Sequence, residues 1–223
     1  MVGLGFLPGG PVKSSGAAGI SSDGRVIVGS SRSAFGTEAF RWTEQTGMVG
    51  LGDLPGADFY SIARAVSPNA EFIVGESSVV QSDRAFMWTE HMGMTALPDI
   101  PGDYALLISR AFDVANDGTT VGYTTVVNHD FSGRAYATIW LAGGEAVTVE
   151  ALLLNYGIDV LAMGWQLEFA YGVSADGRTI AGHGYSPNGF YEGWIAHIPI
   201  PAPASLAPLA LAFVCGRSRR RSA

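Results

Sequence analysis

Cysteine is almost missing from these 223 residues: Cys215 stands alone, so the chain can form no internal disulfide. Charge is scarce as well, at 15% of residues against a usual share of about 25%. Thirteen Lys and Arg face 20 Asp and Glu, for a net charge of −7. No basic stripe runs through residues 1–198, which argues against nucleic acid, because phosphate binding needs clustered cations. The four histidines, at 91, 129, 183 and 197, show no ligand spacing and read as loop or surface residues. A nucleophile elbow and a phosphate loop are both lacking, and Gly3-Leu4-Gly5 has none of the rest of a dinucleotide fingerprint. The sequence therefore offers no catalytic residue and no cofactor site, and the expectation is a protein that is not an enzyme.

Glycine, by contrast, is abundant, with 30 residues, and it recurs in a pattern. Four times an apolar run enters a turn and leaves as a second run ending in glycine: Ile20 to Gly29, Val66 to Gly75, Val114 to Gly122 and Val173 to Gly182. The turn pairs are Asp23-Gly24, Asn69-Ala70, Asp117-Gly118 and Asp176-Gly177, at spacings of 46, 48 and 59 residues. A period in the 40s signals propeller blades or a comparable array. Asp-Gly between β-branched runs is the signature of a two-residue type I′ hairpin, and Ala70 makes the second turn the most strained.

Each hairpin is followed by an aromatic strand. The copies are Glu38-Ala39-Phe40-Arg41-Trp42, Arg84-Ala85-Phe86-Met87-Trp88, Arg134-Ala135-Tyr136 leading to Trp140, and Glu192-Gly193-Trp194. Alternation puts Phe40 with Trp42, and Phe86 with Trp88, on one face, so these aromatics, with Tyr136, Trp140 and Trp194, are expected in the core. A fourth segment, Met48 to Gly56, returns as Met94 to Gly102. The fold class predicted is all-β, a propeller-like array of about four four-stranded antiparallel blades, over residues 8–54, 55–100, 101–153 and 160–198. Residues 149–156 break the pattern with helix formers closed by Gly157, which predicts one short helix.

Met1 to Gly9 matches Met48 to Gly56 at eight of nine positions, so residues 1–7 read as the fourth strand of a repeat. Nothing in them resembles a charged n-region followed by an apolar h-region. One reading is a longer natural chain whose export signal and earlier repeats lie upstream; the other pairs residues 1–7 with the last repeat and closes a ring.

Residues 199–223 differ in kind. A proline-rich spacer leads to the 12 residues Ser205 to Gly216, then to Arg217, Arg219, Arg220 and Arg221. Twelve residues give about 18 Å of helix against a bilayer core of about 30 Å, so a processed segment fits better than a permanent span. Its basic end would stay cytoplasmic. Cys215, at the border, reads as a small hydrophobe with acylation left open.

The tail resembles the PEP-CTERM sorting signal of Gram-negative bacteria, with Pro201-Ala202-Pro203 in the place of the Pro-Glu-Pro motif. The repeats resemble the extracellular HAF repeat family through Ala39-Phe40 with Trp42, Gly47-Met48-Val49-Gly50-Leu51-Gly52, and Ala85-Phe86 with Trp88. Glu38 and Arg84 stand where that family has His. These resemblances imply an exported, envelope-associated or extracellular protein. Its partners would be an exosortase-type enzyme, the membrane through the tail, and a surface protein or extracellular polysaccharide. Ser174-Ala175-Asp176-Gly177-Arg178-Thr179 also resembles the Asp-box of sialidase propellers, one residue short between Asp and Gly, and reads as a hairpin turn.

Two sets of residues remain as candidate sites. Asp53 with Asp58, and Asp99 with Asp103, could bind Ca²⁺ weakly or serve a carbohydrate-active enzyme as an acid/base pair, but the first repeat has Phe6 and Gly10 nearby and no acid. Solvated loop acids is the better reading. The loops Ala34 to Thr37, Ser78 to Asp83 and Asn128 to Gly133 are the expected binding surfaces.

Overall fold

A computed structural model describes residues 1–56 and 58–198. The tail residues Pro201, Ala202, Pro203, Cys215, Arg217, Arg219, Arg220 and Arg221 lie outside them.

Among the described residues sixteen elements follow one another in a single rhythm. Blade 1 holds β1 (Ser15–Ile20), β2 (Ile27–Arg32), β3 (Thr37–Thr43) and β4 (Gly47–Gly50). Blade 2 holds β5 (Ser61–Val66), β6 (Ile73–Val79), β7 (Ser82–Thr89) and β8 (Gly93–Ala96). Blade 3 holds β9 (Leu106–Val114), β10 (Thr120–Val127), β11 (Gly133–Trp140) and β12 (Ala146–Thr148), and is followed by α1 (Val149–Asn155). Blade 4 holds β13 (Gln166–Val173), β14 (Thr179–Tyr185) and β15 (Tyr191–His197). Every sheet is an antiparallel meander paired in sequence order; three have four strands and blade 4 has three among the described residues. The first strands of successive blades touch one another, β1 to β5, β5 to β9 and β9 to β13, which sets them along the inner edge of the array.

Helix α1 begins where the sequence places it. The Thr148 hydroxyl caps it by accepting from the Ala151 N–H at 3.1 Å, and Gly157, at φ 81°, closes it.

The blades stack through an asymmetry of side-chain size. In blade 2 the register sets Phe86 opposite Gly75 and Trp88 opposite Ile73, all on the face toward blade 1. Blade 1 meets it with Val28 and Ala39. Val74 and Ala85 in turn face Ala111, Val114 and Trp140 of blade 3, and Val121 and Ala137 face Leu167, Ala170, Ile180 and Ala196 of blade 4. At the first two interfaces the rearward face carries the large aromatics; at the third the forward face of blade 3 carries Tyr123, opposite Ala137, and Ile139, opposite Val121. Phe40 and Phe86 are fully buried and Trp140 nearly so, each worth about 2–3 kcal/mol of apolar burial, while Trp42, Trp88, Tyr136 and Trp194 are half-buried.

The recurring glycine at the end of each motif follows from the same geometry. A Cβ on Gly29, Gly75, Gly122 or Gly182 would run into the carbonyl oxygen of Gly16, Ile62, Arg110 or Phe169 in the adjoining inner strand. At Gly75 and Gly182 it would also meet the Phe86 and Trp194 rings. Beside each glycine the inner strand carries one extra residue, a β-bulge centred on Ala18, Arg64, Phe112 or Tyr171.

The turns differ from the two-residue type I′ form suggested by Asp-Gly. Only the second residue of each pair has positive φ: Gly24 at 72°, Ala70 at 63°, Gly118 at 88° and Gly177 at 72°. In blade 1 the Ser21 N–H donates to the Val26 carbonyl at 2.9 Å, leaving Ser22 to Arg25 as a longer loop built on a Gly24 N–H to Ser21 carbonyl bond. Side chains explain the difference. The Ser21 hydroxyl donates to Asp23 Oδ1 at 2.7 Å and accepts from the Val26 N–H at 3.0 Å, while Asp23 Oδ1 accepts from the Arg25 N–H at 3.0 Å. Ser67 with Asn69, and Ser174 with Asp176, repeat the device; blade 3 has Ala115 instead, and its loop is one residue shorter. These hydrogen bonds from Ser21 and Ser174, followed by the backbone bonds, hold the Asp23 and Asp176 carboxyls below the usual carboxylate range.

The turns also hold one another. The Ser22 N–H donates to the Pro68 carbonyl at 3.1 Å, Asn69 bonds Asn116 twice, at 2.9 and 3.0 Å, and the Asn116 N–H donates to the Ala175 carbonyl at 3.1 Å. The inner turns of all four blades are thereby linked in series.

Residues 1–7 are not the strand expected of them. They contain no strand and do not pair with β15, which among the described residues is bonded only to β14. Instead the Leu7 N–H donates to the Ser31 hydroxyl at 3.1 Å, just as the Leu54 N–H donates to Ser77 at 2.9 Å one repeat later. The sequence match reports this docking of a leucine on the next blade.

Ala70 occupies a left-handed position that favours glycine. Replacing it, Ala70→Gly, is expected to raise stability by about 0.5–1 kcal/mol in urea unfolding, and Gly24→Ala to lower it by a similar amount.

Candidate functional site

Because strands alternate in direction, the hairpins β2–β3, β6–β7, β10–β11 and β14–β15 all emerge at one end of the array, together with the loops that join one blade to the next. Contacts between the two loop sets confirm this. The Phe35 and Phe59 rings lie 5.4 Å apart, Thr37 bridges Tyr60, and His129 reaches Asp103 at 3.3 Å. The three loops expected to bind, Ala34 to Thr37, Ser78 to Asp83 and Asn128 to Gly133, thus share one rim. Each raises an apolar side chain into solvent: Phe35 is 75% exposed, Val80 66% and Phe131 89%. Blade 4 adds Phe190, 69% exposed, on a hairpin that sequence reasoning passed over although Asn188-Gly189 marks it. Phe131 sits at φ 64°, a conformation that costs a bulky residue energy and holds its ring outward.

Chemistry of a second kind lies on the inner edge. The Arg64 guanidinium binds the buried Glu76 carboxylate through Nε at 2.7 Å and through Nη2, and Arg110 Nη2 bridges from blade 3 to Asp83 of blade 2 at 2.7 Å. Arg64 stands 5.9 Å from the centre of the Phe112 ring. Phe112 stacks on Tyr171, centroids 4.9 Å apart and planes 12° from parallel, and from there rings continue across blade 4. Tyr171 meets His183 at 4.8 Å, His183 meets Tyr191 at 4.5 Å, and Tyr191 meets Tyr185 at 5.0 Å; Tyr123 joins through Phe169 at 4.8 Å. Burial raises the Tyr123 hydroxyl above its ordinary value. Burial first, then the Glu168 carboxylate beside it, pushes Tyr191 up to about 12, so both phenols stay protonated donors at neutral pH.

The strip was not legible in the sequence, because Phe112 and Tyr171 reach the inner edge only through the bulges, and a one-residue insertion is silent to strand alternation. Recurrence was the available signal: Ala18, Arg64, Phe112 and Tyr171 stand eleven, eleven, ten and eleven residues before Gly29, Gly75, Gly122 and Gly182.

The loop acids do not assemble into a site. Arg84 Nη1 engages Asp99, His129 engages Asp103, and burial, with Glu38 nearby, raises the Asp53 carboxyl. Among the described residues no group of three or more His, Cys, Asp and Glu is placed to hold a metal. No described helix is long and apolar enough to cross a membrane.

Against known proteins, no family model and no curated protein matches this chain. Solved structures do match. The crystal structure of TolB from Acinetobacter baumannii aligns with a TM-score of 0.51 and 14% identity, over 83% of this chain and 41% of that one. A putative TolB from Agrobacterium tumefaciens aligns at 0.44 with 14% identity, over 84% of this chain and 60% of that one. TolB proteins are β-propellers. The likeness is one of fold. At 41% coverage the chain spans less than half of the Acinetobacter protein, and its sheets are propeller blades.

Glu76 is buried and depends on Arg64 for compensation. Arg64→Met is expected to destabilise the protein by about 3 kcal/mol, because it strands a carboxylate, and the double variant Arg64→Met with Glu76→Leu to recover most of that loss in the same unfolding assay.

Proposed function

We propose that this chain is an exported, envelope-associated repeat protein with a binding or structural role at the cell surface or in extracellular matrix, sorted by its C-terminal signal. A propeller fold agrees with a binding or structural role. One observation carries the reading furthest: the apolar rim and Ile198, the last described residue, lie at opposite ends of the array. The Ile198 N–H donates to the carbonyl of Arg178, in the inner turn of blade 4, at 2.7 Å, so Ile198 lies at the turn end. Phe35, Val80, Phe131 and Phe190 stand at the other. A chain tethered through residues 199–223 presents that rim outward, where single exposed apolar side chains on a polar surface meet partners. The resemblance of Pro201-Ala202-Pro203 and the arginines at 217, 219, 220 and 221 to a sorting signal supplies the tether, with an exosortase-type enzyme as its reader.

The test places the full chain behind a cleavable export leader in a bacterium that has an exosortase-type enzyme. The protein is expected in the envelope fraction and open to protease on intact cells. Replacing Arg217, Arg219, Arg220 and Arg221 by Ser should change that distribution by at least about fivefold, as a loss of membrane-proximal cations would. An unchanged distribution would contradict sorting through the tail.

A further inference from the structure

We propose that two copies of this chain join head to tail in a closed ring, residues 1–3 of each copy completing blade 4 of the other as its fourth strand. This stands apart from the sorting role of the tail and is tested without it.

Each end of the array shows half of an interface that the fold builds three times between its own blades. On the forward faces of blades 1 to 3, Val28, Val74 and Val121 of the second strands are fully buried, and so are Ala39, Ala85 and Ala137 of the third. In blade 4 the same register positions hold Ala181 and Gly193, and both are exposed. Ile195, opposite Ala181, is 66% exposed. On the rearward face of blade 2, Ala63 and Val66 of β5 are buried against blade 1. Their counterparts in β1, Ala17 and Ile20, are exposed. The two faces therefore do not cover one another within one chain, and a second copy supplies to each the surface it lacks.

Backbone groups carry the register. β3 pairs with β4 as Phe40 to Gly50, Arg41 to Val49 and Trp42 to Met48, and the Leu51 N–H then donates to the Ala39 carbonyl at 2.9 Å. β15 has a bonded neighbour on one side only among the described residues. Met1 to Gly5 repeat Met48 to Gly52 residue for residue. Setting them on β15 in the same register puts Gly3 opposite Trp194, Val2 opposite Ile195 and Met1 opposite Ala196, with the Leu4 N–H at the Gly193 carbonyl. In the single chain Met1 and Val2 are exposed and lie outside every strand of the described residues.

Residues 4–15 are already set for this arrangement. Gly5 has φ 80° where Gly52 has 76°. The Ser15 hydroxyl donates to the Gly5 carbonyl at 2.8 Å, as the Ser61 hydroxyl does to Gly52 at 2.5 Å. Ser61 also accepts from the Ala39 N–H of the preceding blade at 2.9 Å, and Ser109 from the Ala85 N–H at 3.0 Å. Ser15 offers the same acceptor to the Gly193 N–H of a second copy. Glu192 stands where blade 1 has Glu38, whose carboxylate accepts from the Gly52 N–H at 3.1 Å, so the Gly5 N–H finds its acceptor too. Asp53 puts a second acid close to Glu38, whereas Phe6 holds that place in residues 1–7, and Glu192 meets no like charge there.

Ring size fixes the number of copies. Propellers close with about four to eight blades. Two copies of four blades reach the top of that range, and a third copy would exceed it. A head-to-tail contact that closes after two copies has a two-fold axis along the ring, which keeps both apolar rims at one end.

Sedimentation velocity of the full chain is expected to show a dimer of the 23.4 kDa protein, with a Kd of about 10 µM or below. Val2→Pro removes the donor to the Ile195 carbonyl, and Ile195→Asp sets a carboxylate against the rearward face of blade 1. Each should weaken the dimer at least about tenfold. Both residues are exposed in the single chain, so the far-UV circular dichroism spectrum should stay that of the parent. In a Cys215→Ser background, Val2→Cys with Ile195→Cys places two thiols on opposed residues with Cα atoms about 5.5 Å apart. Mild oxidation should then lock most of the protein as a covalent dimer. A parent that stays monomeric at about 100 µM overturns the proposal. So does a dimer indifferent to both Val2→Pro and Ile195→Asp, an open series of larger oligomers, or a double-cysteine variant that cross-links within one chain or not at all.

Discussion

Everything in this fold depends on one close approach. In the second strand of each blade a glycine lies so near the bulged inner strand that any side chain would strike a carbonyl oxygen, and where Phe86 and Trp194 cross, their rings occupy the space a Cβ would take. Gly75 can therefore lie beneath Phe86, and Phe86 can present a large flat surface to the small forward face of blade 1. The same glycine accommodates the bulge, and the bulge turns one residue of the inner strand toward the axis. Stacking of blades and display of inner-edge side chains are two consequences of one constraint.

Much of this was legible in the sequence. The four hairpins, their period, the aromatic strands and α1 follow from turn residues, alternation and helix formers, and all appear where the residues place them. What escaped has identifiable causes. Asp-Gly suggested a two-residue turn, but Ser21, Ser67 and Ser174 supply hydroxyls that hold a longer loop, and this side-chain competition with the backbone is invisible to a rule written for the dipeptide alone. Residues 1–7 share the sequence of Met48 to Leu54, yet the shared feature proves to be a leucine that docks on a serine hydroxyl of the next blade, and a strand does not accompany it.

The functional surfaces divide along the same line. Hairpin tips such as Phe35 and Phe131 are readable as loops, because exposed apolar residues between turn formers announce themselves. Their convergence on one rim, opposite the point where the chain leaves blade 4, needs the strand directions. The inner aromatic strip needs more still: Phe112 and Tyr171 meet only because successive bulges fall at the same height in adjoining blades. Proximity of that sort arises from packing between repeats, which the residues of a single repeat do not record.

Amide hydrogen exchange of Phe86→Ala, compared with the parent protein, tests the central claim most directly. If the ring over Gly75 joins blade 2 to blade 1, protection should fall together in β6 and β7 and, across the interface, in β2 and β3, while β14 keeps its parent rates. Loss confined to β6 and β7, with β2 and β3 unchanged, would contradict the stacking account.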